Sequence, residues 1–139
     1  MLDTDVVVAA LRSNRGAAHA VVEAALRGVF DTLMSVPLAL EYEAVVSRPE
    51  HYRAAGLSRE DAVRFVEILV GIAQPVEIAF RWRPQIVDPD DDFVVDLAVN
   101  GGARSVVTFN TADFETPLKR FGISAIKPVE AWRLIGGLG

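Results

Sequence analysis

The sequence predicts an α/β fold, and two observations carry that prediction. Short runs rich in β-branched residues alternate with longer stretches of helical periodicity, which is the pattern of a parallel sheet covered by helices. The composition is globular, since 51% of the 139 residues are hydrophobic and 24% are charged. A chain of this length can bury a core of its own, so we expect one domain over residues 1–139.

Caps and breakers mark the elements of the first half. Thr4 or Asp5 can cap a helix that follows a first strand, and Gly28 can stop a second helix. Ser58 and Asp61 resemble a capping box. In order, we predict a strand ending at Met1-Leu2, a first helix, a second helix over Ala17–Arg27, a strand over Val29–Ser35, and a third helix over Pro37–Val46 that is closed by Arg48-Pro49. A further helix follows Ser58 and is ended by Pro75, and its apolar side consists of Val63, Val66, Ile68, Leu69 and Ile72.

The second half repeats the alternation of strands and helices. Gly101-Gly102 is a typical helix stop, and Pro128 is a typical helix start. In order, we predict a strand over Val76–Phe80, a helix beginning at Asp90 or Asp91, a strand over Ser105–Thr108, a strand over Ile123–Ile126 and a C-terminal helix whose Val129, Trp132, Leu134 and Ile135 would cover the sheet.

The composition also limits the chemistry. The chain has no cysteine and two histidines, which excludes disulfides, thiolate zinc sites and His-rich metal sites, so any metal must be held by oxygen. A net charge of −5 argues against binding nucleic acid through a general basic field. The apolar run from Val6 to Leu11 is too short for a signal or membrane span, so we expect a cytoplasmic protein with no membrane partner.

Acidic and amide side chains follow several of the predicted strands. Asp3 ends the first strand, Glu41 lies in the helix after the second, Asp92 begins a helix, and Asn110 and Asp113 follow the fourth strand. Ligands of open parallel sheets bind beyond the carboxyl ends of the strands, where these residues would meet. Crowded carboxylates are costly unless a hard cation neutralises them, so we expect Mg²⁺ or Mn²⁺ and phosphodiester hydrolysis.

Four motifs in this order resemble the PIN-domain family, especially the bacterial toxin components of toxin–antitoxin pairs (VapC-like ribonucleases). They are Leu-Asp-Thr-Asp-Val at the start, Glu41-Tyr42, Asp88-Pro89-Asp90-Asp91-Asp92, and Val107-Thr108-Phe109-Asn110-Thr111-Ala112-Asp113-Phe114. The order discriminates more than any single motif does, and the similarity extends from Met1 to the last helix.

The resemblance implies a three-layer α/β/α fold with a parallel sheet of about five strands in the order 3-2-1-4-5. It also implies that Asp3, Glu41 and Asp92 are catalytic metal-binding acids, with Asn110 and Asp113 at a fourth, more variable position. The expected substrate is single-stranded RNA, and the expected partners are a second copy in a homodimer and a cognate antitoxin. Two departures are Asp5, where the family usually has Asn, and Asn110, where many members have Asp.

Other residues have both a functional and a structural interpretation. Thr4, Asp5, Ser35 and Thr108 are candidates to support the acids, although Asp3-Thr4-Asp5 could also be a plain capped turn. The run Asp88–Asp92 also suits an ordinary helix N-terminus, and spacing alone does not decide which acid points into the site. Arg81, Trp82 and Arg83 are candidate RNA contacts or a solvated loop.

Three rival functions remain open, one of which keeps the nuclease chemistry but serves RNA processing or DNA cleavage instead of a toxin. A haloacid-dehalogenase-like phosphatase fits Asp3-Thr4-Asp5-Val6 and Ser35, but it needs a lysine ahead of its last acidic motif, and the lysines are Lys119 and Lys127. A degenerate PIN-like domain that binds RNA or protein without cutting would be expected to lack primary acids. We therefore expect a metal-dependent endoribonuclease, the toxin of a toxin–antitoxin pair, that leaves 5′-phosphate and 3′-hydroxyl ends.

Overall fold

The computed structural model of the protein describes residues 1–79 and 92–138, with the backbone alone at residues 92, 137 and 138. Helices and short strands alternate along the chain, which confirms the α/β class. The elements are α1 Thr4–Arg12, α2 Ala17–Leu26, β1 Leu33–Met34, α3 Val36–Val46, α4 Pro49–Ala54, α5 Arg59–Ile72, β2 Gln74–Pro75, α6 Asp92–Gly101, β3 Ser105–Val107, α7 Thr111–Lys119, β4 Ser124–Ile126 and α8 Pro128–Leu138.

The strands pair in parallel as two short ladders. Leu33 is paired with Gln74 where β1 meets β2, and Val106 is paired with Ala125 where β3 meets β4. Leu2 joins β3 through a single parallel bridge to Val107. The prediction of five strands is wrong for the described residues, which form four. The strands that pair are neighbours in the predicted order 3-2-1-4-5. The full order of the sheet and the three layers stay predictions.

Two strands begin later than predicted because glycine-containing helix ends occupy their first residues. Gly28, at φ 78°, ends α2, where the Val29 amide donates to the Ala24 carbonyl at 3.0 Å. The Ile123 amide likewise donates back to the Leu118 carbonyl at 3.2 Å after Gly122. An amide committed to such a helix-terminal bond cannot also donate to a neighbouring strand, so Val29 and Ile123 do not begin their ladders.

The predicted strand Val76–Phe80 is wrong as far as the structure describes it. The ladder lies at Gln74–Pro75, and the Val76 amide still donates to the Met34 carbonyl at 2.8 Å. Beyond that point β1 has ended, because Ser35 caps α3, so the following residues have no partner strand there. Phe80 lies outside the described residues.

Helix boundaries follow the sequence signals closely, with three corrections. Asp3, rather than Thr4 or Asp5, is the N-cap of α1, and the predicted Ser58 cap is confirmed, since its hydroxyl accepts from the Asp61 amide at 3.1 Å. Arg48-Pro49 follows the end of α3, but Pro49 also begins α4, which was not predicted. Helix α7, which contains Pro117, was also not predicted.

Two predicted apolar faces are partly wrong. Val66 and Leu69 of α5 are buried, whereas Ile68 and Ile72 are about half exposed. In α8, which packs on α2, Val129, Trp132 and Leu134 are also about half exposed, and Ala131 is the buried contact. The apolar periodicity identifies which side of each helix faces the core, but it does not show how many of the apolar residues on that side are covered by neighbouring elements.

The core gathers apolar side chains from nearly every element. Its largest fully buried members are Tyr42, Phe114, Leu2, Leu38, Leu69, Leu97 and Leu118. Leu2 precedes Asp3 and Tyr42 follows Glu41, so two fully buried side chains fix the backbone beside these two acids. None of the helices within the described ranges is long and apolar enough to cross a membrane.

Candidate active site

Asp3 lies where the first extended segment turns into α1. Its amide donates to the Val107 carbonyl at 2.9 Å, which fixes it beside the carboxyl end of β3. The carboxylate is buried: Oδ1 accepts from the Thr4 amide at 2.9 Å, and Oδ2 accepts from the Thr108 hydroxyl at 2.8 Å. An acid at this N-cap is further stabilised by the helix dipole, so Asp3 is held in one orientation.

Thr108 brings a second carboxylate to the same place. Its hydroxyl oxygen lies 3.3 Å from Oδ2 of Asp5, which also accepts from the Phe109 amide at 3.0 Å. The Asn110 amide donates to the Thr108 hydroxyl at 3.0 Å. Because a hydroxyl has one proton, Thr108 can donate to one carboxylate at a time, and Asp3 is the nearer acceptor.

Asp5 carries an unused acceptor. Its Oδ1 is buried and accepts no hydrogen bond from any residue that the structure describes. Burial raises the pKa of the Asp5 carboxyl, although the hydrogen bonds from Phe109, Thr108 and Val6 oppose that rise. A charged oxygen without a donor is costly at a buried position, so this atom favours a cation or a proton.

Glu41 reaches the site from the second turn of α3. Its Oε2 accepts a hydrogen bond from the Thr4 hydroxyl, whereas Glu43 lies at the surface, as their angular separation on the helix predicts. Thr4 therefore connects the two acids, since its amide contacts Asp3 and its hydroxyl contacts Glu41.

Tyr42 is the part of the site to which sequence reasoning gave no role. It is fully buried, and its hydroxyl donates to the Leu2 carbonyl. Burial, and then the negative charges of Asp3, Glu41 and Asp5, raise the pKa of the Tyr42 phenol well above its ordinary value. The charges of all three acids therefore act on the same buried hydroxyl. The spacing of Leu38, Tyr42 and Val46 by four residues was the signal that this face is buried.

Three further candidates lie within the described residues. Asn110 and Asp113 are exposed, and the Asn110 side-chain amide donates to Oδ2 of Asp113 at 2.7 Å. Ser35 is buried and follows β1, but its hydroxyl accepts from the Leu38 amide at 3.3 Å as the cap of α3. Ser35 therefore positions the helix that carries Glu41.

Other predicted residues fall outside what the structure describes. These are Arg81, Trp82, Arg83 and Asp88–Asp91, together with the side chain of Asp92, whose backbone begins α6. One turn after Asp92, the buried Asp96 lies on the same helix, and the sequence analysis gave it no role in the nuclease. Within residues 1–79 and 93–136, no three acidic, His or Cys side chains are arranged to hold a metal ion.

Comparison with protein families decides the affiliation. The family model described as PIN domain matches residues 1–112, which include Asp3, Glu41 and Thr108. The chain belongs to the PIN-domain family. Searches of curated proteins and of solved structures returned no significant match. PIN domains are generally nucleases and typically use divalent metal ions, so the acids of this PIN domain lie in a nuclease-type scaffold.

Removing the Tyr42 hydroxyl tests how the acids are held. We expect Tyr42→Phe to lower the free energy of unfolding by about 1–2 kcal/mol, because the buried Leu2 carbonyl loses its donor. Urea unfolding of metal-free protein measures this change. Tyr52→Phe, on the partly buried α4, is the matched control; equal effects of both variants would contradict the role given to Tyr42.

The charge of Asp5 gives a pH-dependent prediction for metal-free protein. Its raised pKa means that the folded state binds the proton more tightly than the unfolded state does, so stability falls as pH rises through that window. We expect Asp5→Asn to raise Tm at neutral pH, with an advantage that shrinks as pH falls through the raised pKa of Asp5 and is lost once pH lies below the ordinary Asp pKa. Thermal melts in EDTA measure this, with the exposed Asp31→Asn as control. A lower Tm for Asp5→Asn at neutral pH would refute the buried-charge argument.

Proposed function

We propose that this PIN domain is a divalent-metal-dependent endoribonuclease that hydrolyses single-stranded RNA. The observation that carries the proposal is the convergence of Asp3, Asp5 and Glu41 around the hydroxyls of Thr4 and Thr108. Asp3 and Asp5 lie at the start of α1 and Glu41 lies in α3, and all three charges act on the buried phenol of Tyr42, a costly arrangement that a structural role does not require.

The donor set fits a hard cation. Asp3, Glu41 and Asp92 would hold Mg²⁺ or Mn²⁺, with Asn110 and Asp113 at the more variable position, and every ligand would be oxygen. The buried Oδ1 of Asp5 adds an acceptor that no described donor uses. When bound, the cation would supply an activated water nucleophile and offset the negative charge of the phosphodiester.

The chain's own residues orient the acids before any ligand arrives. Asp3 is fixed by one backbone amide and one hydroxyl, and Glu41 is fixed by the hydroxyl of Thr4. Asp5 is held by the Phe109 amide, which donates to its Oδ2 at 3.0 Å. Such preorganisation removes the cost of arranging ligands when substrate binds. In-line hydrolysis would leave 5′-phosphate and 3′-hydroxyl ends, with no need for the 2′-hydroxyl as nucleophile.

The biological setting is also part of the proposal. The four motifs resemble those of bacterial toxins, which supports a cytoplasmic toxin paired with a cognate antitoxin. In that setting the antitoxin would cover the acidic edge, and the toxin would form a homodimer. A PIN-like domain that binds RNA without cutting is the alternative outcome of the experiment below.

A cleavage assay tests the nuclease proposal. We expect purified protein to cut a mixed-sequence single-stranded RNA in Mn²⁺ but not in EDTA, and expect Asp3→Asn and Asp92→Asn to lose at least about a hundredfold in rate. Asp31→Asn, an exposed carboxylate-to-amide change, should keep full activity. Products with 2′,3′-cyclic phosphate would refute the mechanism, and folded, Mn²⁺-binding protein that cuts no RNA would favour the non-cutting alternative.

A thermal melt tests the cation site without substrate. A cation that binds only the folded state stabilises it by about 2.7 kcal/mol at one hundred times its Kd. We therefore expect Mn²⁺ to raise Tm for the native protein and to raise it much less for Asp3→Asn, whose amide still caps α1. An identical rise in the two proteins would exclude Asp3 as a ligand.

A further inference from the structure

Basic residues lie at the end of α1 that is farthest from Asp3 and at the start of α4, which packs against α1. Arg12 is the last residue of α1, Arg15 follows in the next loop, and Arg48 is the N-cap residue of α4. His51 lies one turn into α4, where its amide donates to the Arg48 carbonyl at 2.9 Å. We refer to Arg12, Arg15, Arg48 and His51 as the α1–α4 basic cluster.

A side-chain contact joins the two helices within this cluster. Nη1 of Arg12 lies 3.4 Å from Nδ1 of His51. Because a guanidinium can only donate, Nδ1 must be the acceptor, which places the ring proton on Nε2, 3.8 Å from Oε1 of Glu50. His51 thereby holds the Arg12 guanidinium beside the first turn of α4, the helix that Arg48 begins.

The positive charge of the cluster is largely uncompensated. In the described part of the chain Arg27 and Arg64 form ion pairs with Glu23 and Asp61, and the His19 and His51 rings lie 3.6 and 3.8 Å from Glu23 and Glu50. Within the same residues Arg12, Arg15 and Arg48 have no carboxylate partner, and all three are exposed. Glu50 is the acid beside the cluster, and it faces His51. In a chain of net charge −5, this is a local reversal of sign.

An open stripe of α1 connects the cluster to the acids. Asp5, Ala9 and Arg12 are spaced by four and three residues, so they lie on one side of the helix. Asp5 and Ala9 are partly exposed, whereas Val6, Val7, Val8 and Ala10 are buried. Seven residues of helix place Arg12 about 10 Å from Asp5 along the axis.

We propose that the α1–α4 basic cluster binds backbone phosphates of the RNA strand whose scissile bond lies at the acids. The inference rests on the proposed nuclease function. It adds the path of the bound RNA, which would run over α1 along Asp5, Ala9 and Arg12. Guanidinium groups bind phosphate through two parallel hydrogen bonds, and contacts to phosphate position a strand without reading its sequence. Positive charge at this distance also offsets the repulsion between RNA and the acidic centre.

Salt-dependent binding is the direct test. A labelled single-stranded RNA is titrated in EDTA, which prevents cleavage, and its anisotropy is followed over about 50–200 mM salt. Each phosphate contact contributes about 0.7 to the slope of log K against log salt for single strands. The double variant Arg12→Gln/Arg48→Gln should reduce that slope by about 1.4 and weaken binding about tenfold near 0.15 M salt.

Two matched proteins control this experiment. Arg104→Gln/Arg133→Gln removes two exposed arginines outside the cluster and should leave the slope unchanged. Arg12→Lys/Arg48→Lys keeps the charge and should retain most of the slope, because counterion release depends on charge more than on the fork of the guanidinium. Equal slopes for the native protein and the Arg12→Gln/Arg48→Gln variant would overturn the proposal.

Further outcomes separate this inference from the nuclease proposal. In Mn²⁺ the Arg12→Gln/Arg48→Gln variant should lose kcat/KM mainly through a higher KM. If native protein cleaves RNA while the double variant has the same KM, the cluster assignment fails and the nuclease proposal stands. If native protein cuts no RNA but its RNA affinity still depends on Arg12 and Arg48, the nuclease proposal fails and the binding surface stands.

Polyglutamate binding gives one more outcome. If the Arg12→Gln/Arg48→Gln variant loses binding to polyglutamate while its RNA binding is unchanged, the cluster is a protein-docking surface and the proposal is overturned.

Discussion

The site depends on one backbone connection between the start of the chain and β3. The Asp3 amide donates to the Val107 carbonyl, and the Val107 amide donates to the Met1 carbonyl, both at 2.9 Å. These two bonds fix the register that puts the Asp3 carboxylate against the hydroxyl of Thr108. A shift of one residue would turn the Thr108 side chain to the other face of the sheet and leave Asp3 without this donor.

The threonines organise what would otherwise be a group of mutually repelling acids. Thr4 contacts Asp3 through its amide and Glu41 through its hydroxyl, and Thr108 lies between Asp3 and Asp5. Neutral hydroxyls can donate to carboxylates without cancelling their charge, so the negative potential at the edge of the sheet is kept. A lysine or arginine at either position would hold the acids together but would occupy the place of a cation.

Sequence patterns predicted most helix boundaries because caps and glycines act locally. Ser58 and Gly28 mark helix ends through bonds to residues within one turn, so no distant information is needed. Strand lengths and the role of Tyr42 could not be predicted in this way. Strand β2 ends where its partner β1 turns into α3, and Tyr42 acquires its role from Leu2, which lies forty residues away. The order of the motifs identified the acids, whereas their hydrogen-bond partners could be identified only from the folded structure, because Thr108 and Phe109 lie about a hundred residues away in sequence.

The sequence separation of Asp3 and Thr108 also affects when the site can form. Hydrogen bonds between residues 105 positions apart close a loop that contains most of the chain. During synthesis from the N-terminus, Asp3 therefore leaves the ribosome long before the hydroxyl that orients it has been made. Until β3 emerges and the loop closes, Asp3 lacks both its backbone partner Val107 and the hydroxyl of Thr108. A growing chain of this protein consequently lacks an assembled acidic centre until β3 has emerged, however early its first acid was made.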